Sequence, residues 1–395
     1  MGSGRRLCIA YVNYGAQSGV TASVSQALVS RGHELHLIDA TGDLEPRDPS
    51  TGRPRPTPRV LLNLGLATGR FGRRALGHRW NTIYAFDHHS RRAGDALLAL
   101  RHPPEVVVQN GALFAPGDPP PFPYALLIDH TRALAMRSPA WPEAGLAAPP
   151  EYGARWRARE TRTYRRARAI ASFSENTARS LELDYGVDPS RIRVVGAGAN
   201  VFPDEAQRLD DGRTILFVGR EFARKGGTFL AEAFGRVRRR VPGARLIVAG
   251  PAAPPPLPED ATWLGEVPLA EIPALFAKAT VFALPTLREP FGLAYLDAMA
   301  CAVPCVGTRI EAVPEIVEDG ETGLLVPPGD AGALAAALER LLSDPLRARA
   351  MGARGRQRVA ARFGWALVAE RLERALLDAL APPEDRVITP TPTRV

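Results

Sequence analysis

The sequence predicts an α/β protein built from two tandem open sheets of parallel strands. Short apolar runs alternate with longer amphipathic stretches, the pattern of repeated βαβ units. The alternation stops in a segment rich in turn-forming residues, Gly196–Gly212, and then begins again. A length of 395 residues suits two such units, because single cores rarely grow past about 250–300 residues.

In the first unit, Leu7–Val12 reads as a strand, Val20–Ser30 as a helix ending at Gly32, and Glu34–Ile38 as the next strand. Asp39–Arg59 is rich in Pro, Gly and charge and reads as a loop. Val60–Leu64, Thr82–Ala85, Val106–Gln109 and Ala125–Ile128 are short apolar runs that suit strands, with a helix over Arg92–Leu100. Glu151–Arg168 reads as a helix, Ala169–Ser172 as a strand, Glu175–Tyr185 as a helix and Arg191–Val195 as the last strand. The second unit begins with strand Thr214–Val218, helix Gly226–Arg240 and strand Arg245–Ala249. Strands Thr262–Leu264 and Thr280–Leu284 flank a helix over Ala270–Lys278. Phe291–Cys301, Pro304–Val306, Gly323–Val326 and Ala331–Leu342 continue the alternation, and Pro345–Phe363 and Trp365–Leu380 are helical. The tail Glu384–Val395, with two prolines and three threonines, is expected to be disordered. The expected domains are therefore 1–200, 201–363, a helix over 364–381, and a tail over 382–395.

Composition narrows the function classes. No run reaches the roughly 18 apolar residues of a membrane span, and the start of the chain reads as a strand rather than a signal peptide. Cys8, Cys301 and Cys305 are too few for a disulfide framework, which together predicts a cytoplasmic protein with buried core thiols. The formal charge of +8 favours polyanionic partners without choosing among them.

Two segments carry chemistry. In Val218–Gly226 a strand ends, a loop with Arg220, Arg224 and Lys225 follows, and a helix begins. Cations beside a helix N-terminus at the carboxyl end of a parallel strand suit a phosphate or diphosphate, the alternative being a solvated basic loop. In Pro285–Ala300, Pro290 suits a first helical turn and places Glu289 just ahead of it. The amides of Phe291, Gly292 and Leu293 are then left without intrahelical partners. Asp297, eight positions beyond Glu289, lies at most about 12 Å away along the helix. One ligand with two polyhydroxyl ends and phosphates between them fits that spacing. The simpler alternative is that Glu289 caps the helix and Asp297 is solvated.

These motifs resemble those of the retaining glycosyltransferases of family 4, which have the GT-B fold. The resemblance rests on Gly219-Arg220 with Arg224-Lys225-Gly226, and on Glu289-Pro290-Phe291-Gly292 with an acid eight positions after Glu289. It continues through Val303-Pro304-Cys305-Val306, Glu311-Ala312-Val313-Pro314-Glu315 and Asp319-Gly320-Glu321-Thr322-Gly323, and covers about Ala169 to Phe363. It implies two Rossmann-like domains facing a central cleft, with the last helix crossing back to the N-terminal domain. It implies transfer of a hexose-type sugar from a nucleotide diphosphate sugar to an acceptor hydroxyl, without a protein nucleophile.

By the same resemblance, Arg224 and Lys225 neutralise the leaving diphosphate. Glu289 binds donor-sugar hydroxyls, and Pro290 and the Phe291–Leu293 amides meet the phosphates. Gly219 and Arg220 belong to the same donor site, and Asp297, where the family usually has Glu, takes the ribose. Val267, in Leu264-Gly265-Glu266-Val267, meets the nucleobase. Gly19, ending the loop Asn13–Gly19, is the donor-side candidate of the N-terminal domain, and a plain turn is its alternative. His130 resembles the histidine near the transferred sugar, with a structural histidine as the alternative.

No Asp-x-Asp pair is present, and Asp87-His88-His89 reads as a polar loop, so no metal and no cofactor are expected. Seven arginines between Arg155 and Arg168 suit either an anionic membrane or a solvated helix face. The expected partners are a nucleotide sugar and a carbohydrate, lipid-linked or small-molecule acceptor, with no nucleic acid, because no aromatic residues are interleaved in a binding-module pattern. Two other readings stay open. An NAD(P)-dependent oxidoreductase would use the first βα turn, but its glycines have the spacing Gly-x-x-x-Gly. A non-catalytic sugar-nucleotide binder would keep the site without turnover.

Overall fold

The computed structural model describes residues 5–14, 19–44, 56–201 and 209–381. The N-terminal half runs β1 (Cys8–Asn13), α1 (Val20–Ser30), β2 (Glu34–Asp39), α2 (Pro58–Phe71), α3 (Ala75–His78), α4 (Ile83–Leu98), β3 (Val106–Asn110) and β4 (Tyr124–Ile128). It continues with α5 (Arg132–Arg137), α6 (Ala154–Arg166), β5 (Ala169–Ser172), α7 (Glu175–Tyr185) and β6 (Ile192–Val194). The C-terminal half runs β7 (Thr214–Val218), α8 (Gly227–Arg240), β8 (Arg245–Ala249), β9 (Ala261–Gly265), α9 (Ile272–Lys278), β10 (Val281–Leu284) and α10 (Leu293–Ala300). After these come β11 (Cys305–Thr308), α11 (Val313–Ile316), β12 (Gly323–Val326), α12 (Ala331–Ser343), α13 (Pro345–Arg362) and α14 (Trp365–Leu380).

Each half forms one six-stranded sheet, in the orders β2-β1-β3-β4-β5-β6 and β12-β11-β10-β7-β8-β9. All neighbours pair in parallel. Inner strands such as β1, β4, β10 and β11 are buried on both faces, as parallel sheets covered on both sides require, whereas the edge strands β2 and β9 are partly exposed. Along β1, Ile9 and Tyr11 face the core shared with α1 and α14, while Ala10 and Val12 face Leu97 of α4 and Leu181 of α7.

The last helix crosses back, as expected. After Pro345–Arg362 on the C-terminal side, α14 packs on the N-terminal sheet, where Leu372 and Leu376 join Leu28 of α1 in one core. Its polar face is tied down as well: Arg31 Nε donates to Glu373 at 2.7 Å and Arg193 Nε to Asp378 at 2.7 Å. Gly198 is needed at this crossing, since a Cβ there would stand 2.7 Å from the Trp365 indole and backbone.

Three expectations are corrected. Val60–Leu64 is not a strand but lies inside α2, whose start is set by Thr57 accepting from the Val60 amide at 3.3 Å and by Pro58 in the first turn. Thr82–Ala85 is the start of α4, with the Thr82 hydroxyl accepting from the Ala85 amide at 2.9 Å. That helix begins well before Arg92, and Asp87-His88-His89 lies within it rather than in a loop. A four- or five-residue apolar run suits either state, and here the caps decided. Of the expected loop Asp39–Arg59, 45–55 lies outside the described residues, as do 202–208 of the connecting segment and the tail 382–395.

Candidate active site in the cleft between the sheets

The C-terminal side of the cleft is built from the loops after β7 and β10. Gly226 adopts φ +73° at the N-cap of α8, and a Cβ there would stand 1.8 Å from the Pro285 carbonyl oxygen. Only glycine lets the two loops approach this closely. They are then stitched together: Leu287 N donates to Arg224 O at 2.9 Å, and Arg224 Nη1 donates to Arg288 O at 2.7 Å. The result brings Arg224, Lys225 and Glu289 into one cluster, with the Lys225 ammonium paired to the Glu289 carboxylate.

Both members of that pair are well buried, at 15% and 6% side-chain exposure. Arg224 is bound to Glu221 through Nε at 2.7 Å. Burial pushes the Arg224 guanidinium down, but Glu221, Glu289 and Glu311 together hold it above its ordinary value. Arg288 is lowered by burial, with the neighbouring Arg224 and Arg132 acting in the same direction. Arg224, Lys225 and Arg288 therefore gather here among the carboxylates of Glu221, Glu289 and Glu311, and such guanidinium and ammonium groups are the usual partners of a diphosphate.

Helix α10 starts at Leu293, with Gly292 at φ 114° as its N-cap. The amides of Phe291, Gly292 and Leu293 lie at this N-terminal end, and the Phe291 ring meets Phe173 of the N-terminal half edge-on at 5.5 Å. Pro290 is half-buried and, contrary to the expectation, lies ahead of the helix rather than in its first turn, because Gly292 takes the N-cap position. Gly219 continues β7 by donating to Ala249 O at 2.9 Å, and Arg220 beyond it is exposed. Val267 is half-buried after β9.

Asp297 is turned to the domain connection. Its Oδ1 accepts from the amides of Asn200 at 2.7 Å and Val201 at 3.1 Å. Burial pushes its carboxyl up to about 6, against the pull of those two amides. The folded chain thus binds this proton more tightly than the unfolded chain, and stability falls as pH rises from 3.8 to about 6. Asp297→Asn keeps an oxygen for both amides and removes the buried charge. We expect it to be more stable by about 1–3 kcal/mol above pH 6, with the wild-type slope between those values lost in melting curves. An unchanged slope would locate the buried charge elsewhere.

From the N-terminal side, His130 follows β4 and reaches across the cleft, its Nε2 3.2 Å from Glu311 Oε1. The other oxygen of Glu311 accepts from the Glu289 amide. Glu311 is a non-glycine residue at φ 47° and only 12% of its side chain is exposed. Burial pushes its carboxyl up, but the His130 bond and charge and the Glu289 amide hold it below its ordinary value. The sequence reading gave Glu311 no role; its chemistry shows only when residues 181 positions apart meet. Glu315 makes a second link, accepting from the amides of Glu175 and Asn176 at the start of α7, both at 2.8 Å. Arg288 Nη2 donates to Ala147 O at 2.8 Å, and Trp141 meets Phe229 at 6.0 Å, so the segment after α5 closes one edge of the cleft.

Gly19 caps α1 at φ 82° beside Asn200; the loop before it, 15–18, lies outside the described residues. His89 is buried, its Nδ1 donates to Ala40 O at 2.8 Å, and burial lowers it to about 4. Asp87 pairs with Arg159 of α6. Among the described residues one group of possible metal ligands lies together, Cys8, Glu34 and His36, at the opposite, N-terminal ends of β1 and β2. Burial and Glu34 raise the Cys8 thiol, which favours its protonated form over a metal-binding thiolate. Cys8, Cys301 and Cys305 are free thiols, the last two buried.

Two parallel Rossmann-like sheets, with strand ends facing across one cleft and a helix returning from the second to the first, define the GT-B class. The profile described as Glycosyltransferase Family 4 matches residues 17–201, and that described as Glycosyl transferases group 1 matches 212–344. The chain belongs to the family 4 glycosyltransferases. It is 33% identical over 230 residues to the GDP-mannose-dependent alpha-(1-6)-phosphatidylinositol monomannoside mannosyltransferase of Mycolicibacterium smegmatis, covering 54% of this chain and 60% of that one. To the D-inositol 3-phosphate glycosyltransferase of Frankia alni it is 35% identical over 246 residues, with the same coverages of 54% and 60%. The chain thus spans about six tenths of the length of these curated relatives. Sucrose-phosphate synthase from Thermosynechococcus elongatus shares the fold at a TM-score of 0.68, with 22% identity, 95% of this chain and 100% of that one covered. The Anabaena HepE protein in complex with UDP aligns at 0.61, with 14% identity and coverages of 94% and 100%.

Proposed function

We propose that the protein is a retaining glycosyltransferase that moves a hexose-type sugar from a nucleotide diphosphate sugar to an acceptor hydroxyl, without a metal in the chemistry. The observation that carries this is the Arg224–Lys225–Glu289 cluster at the start of α8 and α10. Arg224 and Lys225 stabilise negative charge as the bond between the sugar and the diphosphate breaks. Glu289 holds hydroxyls of the transferred sugar, and the amides before α10 hold the phosphates. The acceptor oxygen bonds to the anomeric carbon as the diphosphate leaves from the same face, and the acceptor proton passes to the departing phosphate. His130 lines the acceptor side. The relatives named for GDP-mannose and inositol phosphate, and a neighbour solved with UDP, agree with a nucleotide-sugar donor.

The acceptor is a carbohydrate, a lipid-linked molecule or a small molecule. Contact with an anionic membrane through Arg155–Arg168 belongs to this reading but has few free cations on α6. Arg159 pairs with Asp87, Arg162 and Arg166 with Asp118, and Arg165 donates to Tyr185 O, so the exposed cations outside these bonds are Arg155, Arg157 and, just past α6, Arg168.

The test is a melting panel of UDP, GDP, ADP and dTDP with EDTA, followed by turnover of the sugar donor. A ligand that binds only the folded state raises its stability by RT ln(1 + [L]/Kd), about 2.7 kcal/mol at one hundred times Kd. One diphosphate should stabilise the wild type and fail with Arg224→Ala/Lys225→Ala/Glu289→Ala. No stabilisation by any diphosphate would sink the donor site, and binding without turnover would leave a sugar-nucleotide binder.

A further inference from the structure

We propose that α2 and α3 form a surface that lies in the plane of an anionic membrane. The sequence places seven arginines and no acid between Asp48 and Asp87. The structure turns part of that stretch into a helix that is apolar on two opposite sides. One side of α2 packs inward, with Asn63, Ala67 and Phe71 buried and Leu64 against them. At 3.6 residues per turn the opposite side carries Leu61, Leu62, Gly65, Leu66 and Gly69. Leu61, Leu62 and Leu66 are 58%, 52% and 47% exposed, and Leu76 of α3 is 68% exposed. Nothing stands within 4 Å of where a Cβ would project from Gly65 or Gly69.

Other exposed leucines, such as Leu183 and Leu346, stand singly and need no explanation. Four within sixteen residues of one helical stretch are a patch, and such a patch marks a contact surface. Charge selects the partner. Arg70 and Arg74 border the leucines, and their partners are backbone carbonyls, Glu151 O at 3.2 Å and Ala148 O at 2.8 Å, so no acid neutralises them there. Arg73 between them is exposed. Leucines that enter the acyl boundary, bordered by guanidiniums at headgroup level, are the composition of an interfacial helix. No helix among the described residues is long and apolar enough to cross a membrane, which agrees with contact in the plane.

The surface adjoins a groove of about 800 Å³ between α5 and α6, lined by Glu151, Tyr152, Trp156 and Arg157 among others. The Arg70–Glu151 bond joins the two. The patch lies outside the donor cluster, so its test is independent of the donor chemistry.

The full chain is mixed with vesicles of phosphatidylcholine alone and of phosphatidylcholine with phosphatidylglycerol, and bound protein is measured by flotation. Binding should be at least about tenfold tighter to the anionic vesicles and weaken with added salt. Leu62→Gln/Leu66→Gln and Arg70→Gln/Arg73→Gln should each lose most of it, while Leu183→Gln/Leu346→Gln keeps it. The leucine variant should retain the wild-type melting temperature and its response to the nucleoside diphosphate, because its side chains are exposed. Equal binding to both vesicles, no binding to either, or full binding by the leucine variant would overturn the proposal. So would a wild-type dimer in sedimentation that the leucine variant dissociates, since the patch would then cover a second copy.

Discussion

Lys225→Ala is expected to slow sugar transfer by about 10²–10³-fold, the usual cost of removing one preorganised charge from a developing oxyanion. The same substitution strands Glu289, whose side chain is 6% exposed and whose paired cation is gone. Breaking a buried ion pair from one side costs up to about 3–5 kcal/mol. Rate and stability must therefore be separated. In Lys225→Met/Glu289→Gln the uncompensated charge is removed from both sides, and the urea midpoint should recover towards wild type. The rate should not recover, because neither the diphosphate nor the sugar regains its partner. Steady-state turnover and urea denaturation of both variants read the two effects. Recovery of turnover together with stability would mean that the pair only supports the fold.

Glu311→Ala is expected to lower kcat by about 10²-fold, with a smaller effect on donor KM. Its two oxygens join His130, from the N-terminal sheet, to the Glu289 amide on the C-terminal one. Removing them frees the ring and loosens the register of the two halves, without deleting a donor-charge partner. Glu311→Gln keeps an acceptor for the Glu289 amide but loses the attraction to His130, so its loss in kcat should be smaller. The pH dependence supplies a second readout. Because the folded carboxyl is held below its ordinary 4.5, its contribution to stability is present above that value and is lost as pH falls through the lower folded value. Melting curves of Glu311→Gln should lack this part of the acid limb. An unchanged acid limb and unchanged kcat would remove Glu311 from the site.

The backbone at Glu311 fits such a role. A non-glycine residue at φ 47° costs of order 1 kcal/mol or more and persists where surrounding contacts hold it. Here the contacts come from both halves of the cleft.

Where signals were local, sequence and structure agree. Strand β7, the cationic loop and α8 follow one another within about one βα unit, and each boundary carries its own mark: an apolar run, then Gly226, then an amphipathic period. The eight-residue spacing from Glu289 to Asp297 was equally legible, although only Asp297 lies on α10. What those carboxylates touch was not. Glu289 meets Lys225, 64 positions away, and Asp297 meets the amides of Asn200 and Val201 across the domain connection.

The arginine-rich helix teaches the same distinction. Its composition was plain, but whether each guanidinium is free depended on Asp87 and Asp118 arriving from elsewhere in the chain. Conversely, Val60–Leu64 resembled a buried strand until the caps of α2 turned it into a helix with leucines on its outer side. By itself, then, the sequence determined two parallel α/β units, the returning helix and the types of residue gathered at two strand ends. Periodicity, turn residues and helix starts act over a few positions, and a linear pattern records them. Only the tertiary structure decided which charges are paired, which helix faces outward, and that Glu311 bridges the cleft, because those outcomes depend on groups brought together by closure of long loops between distant segments.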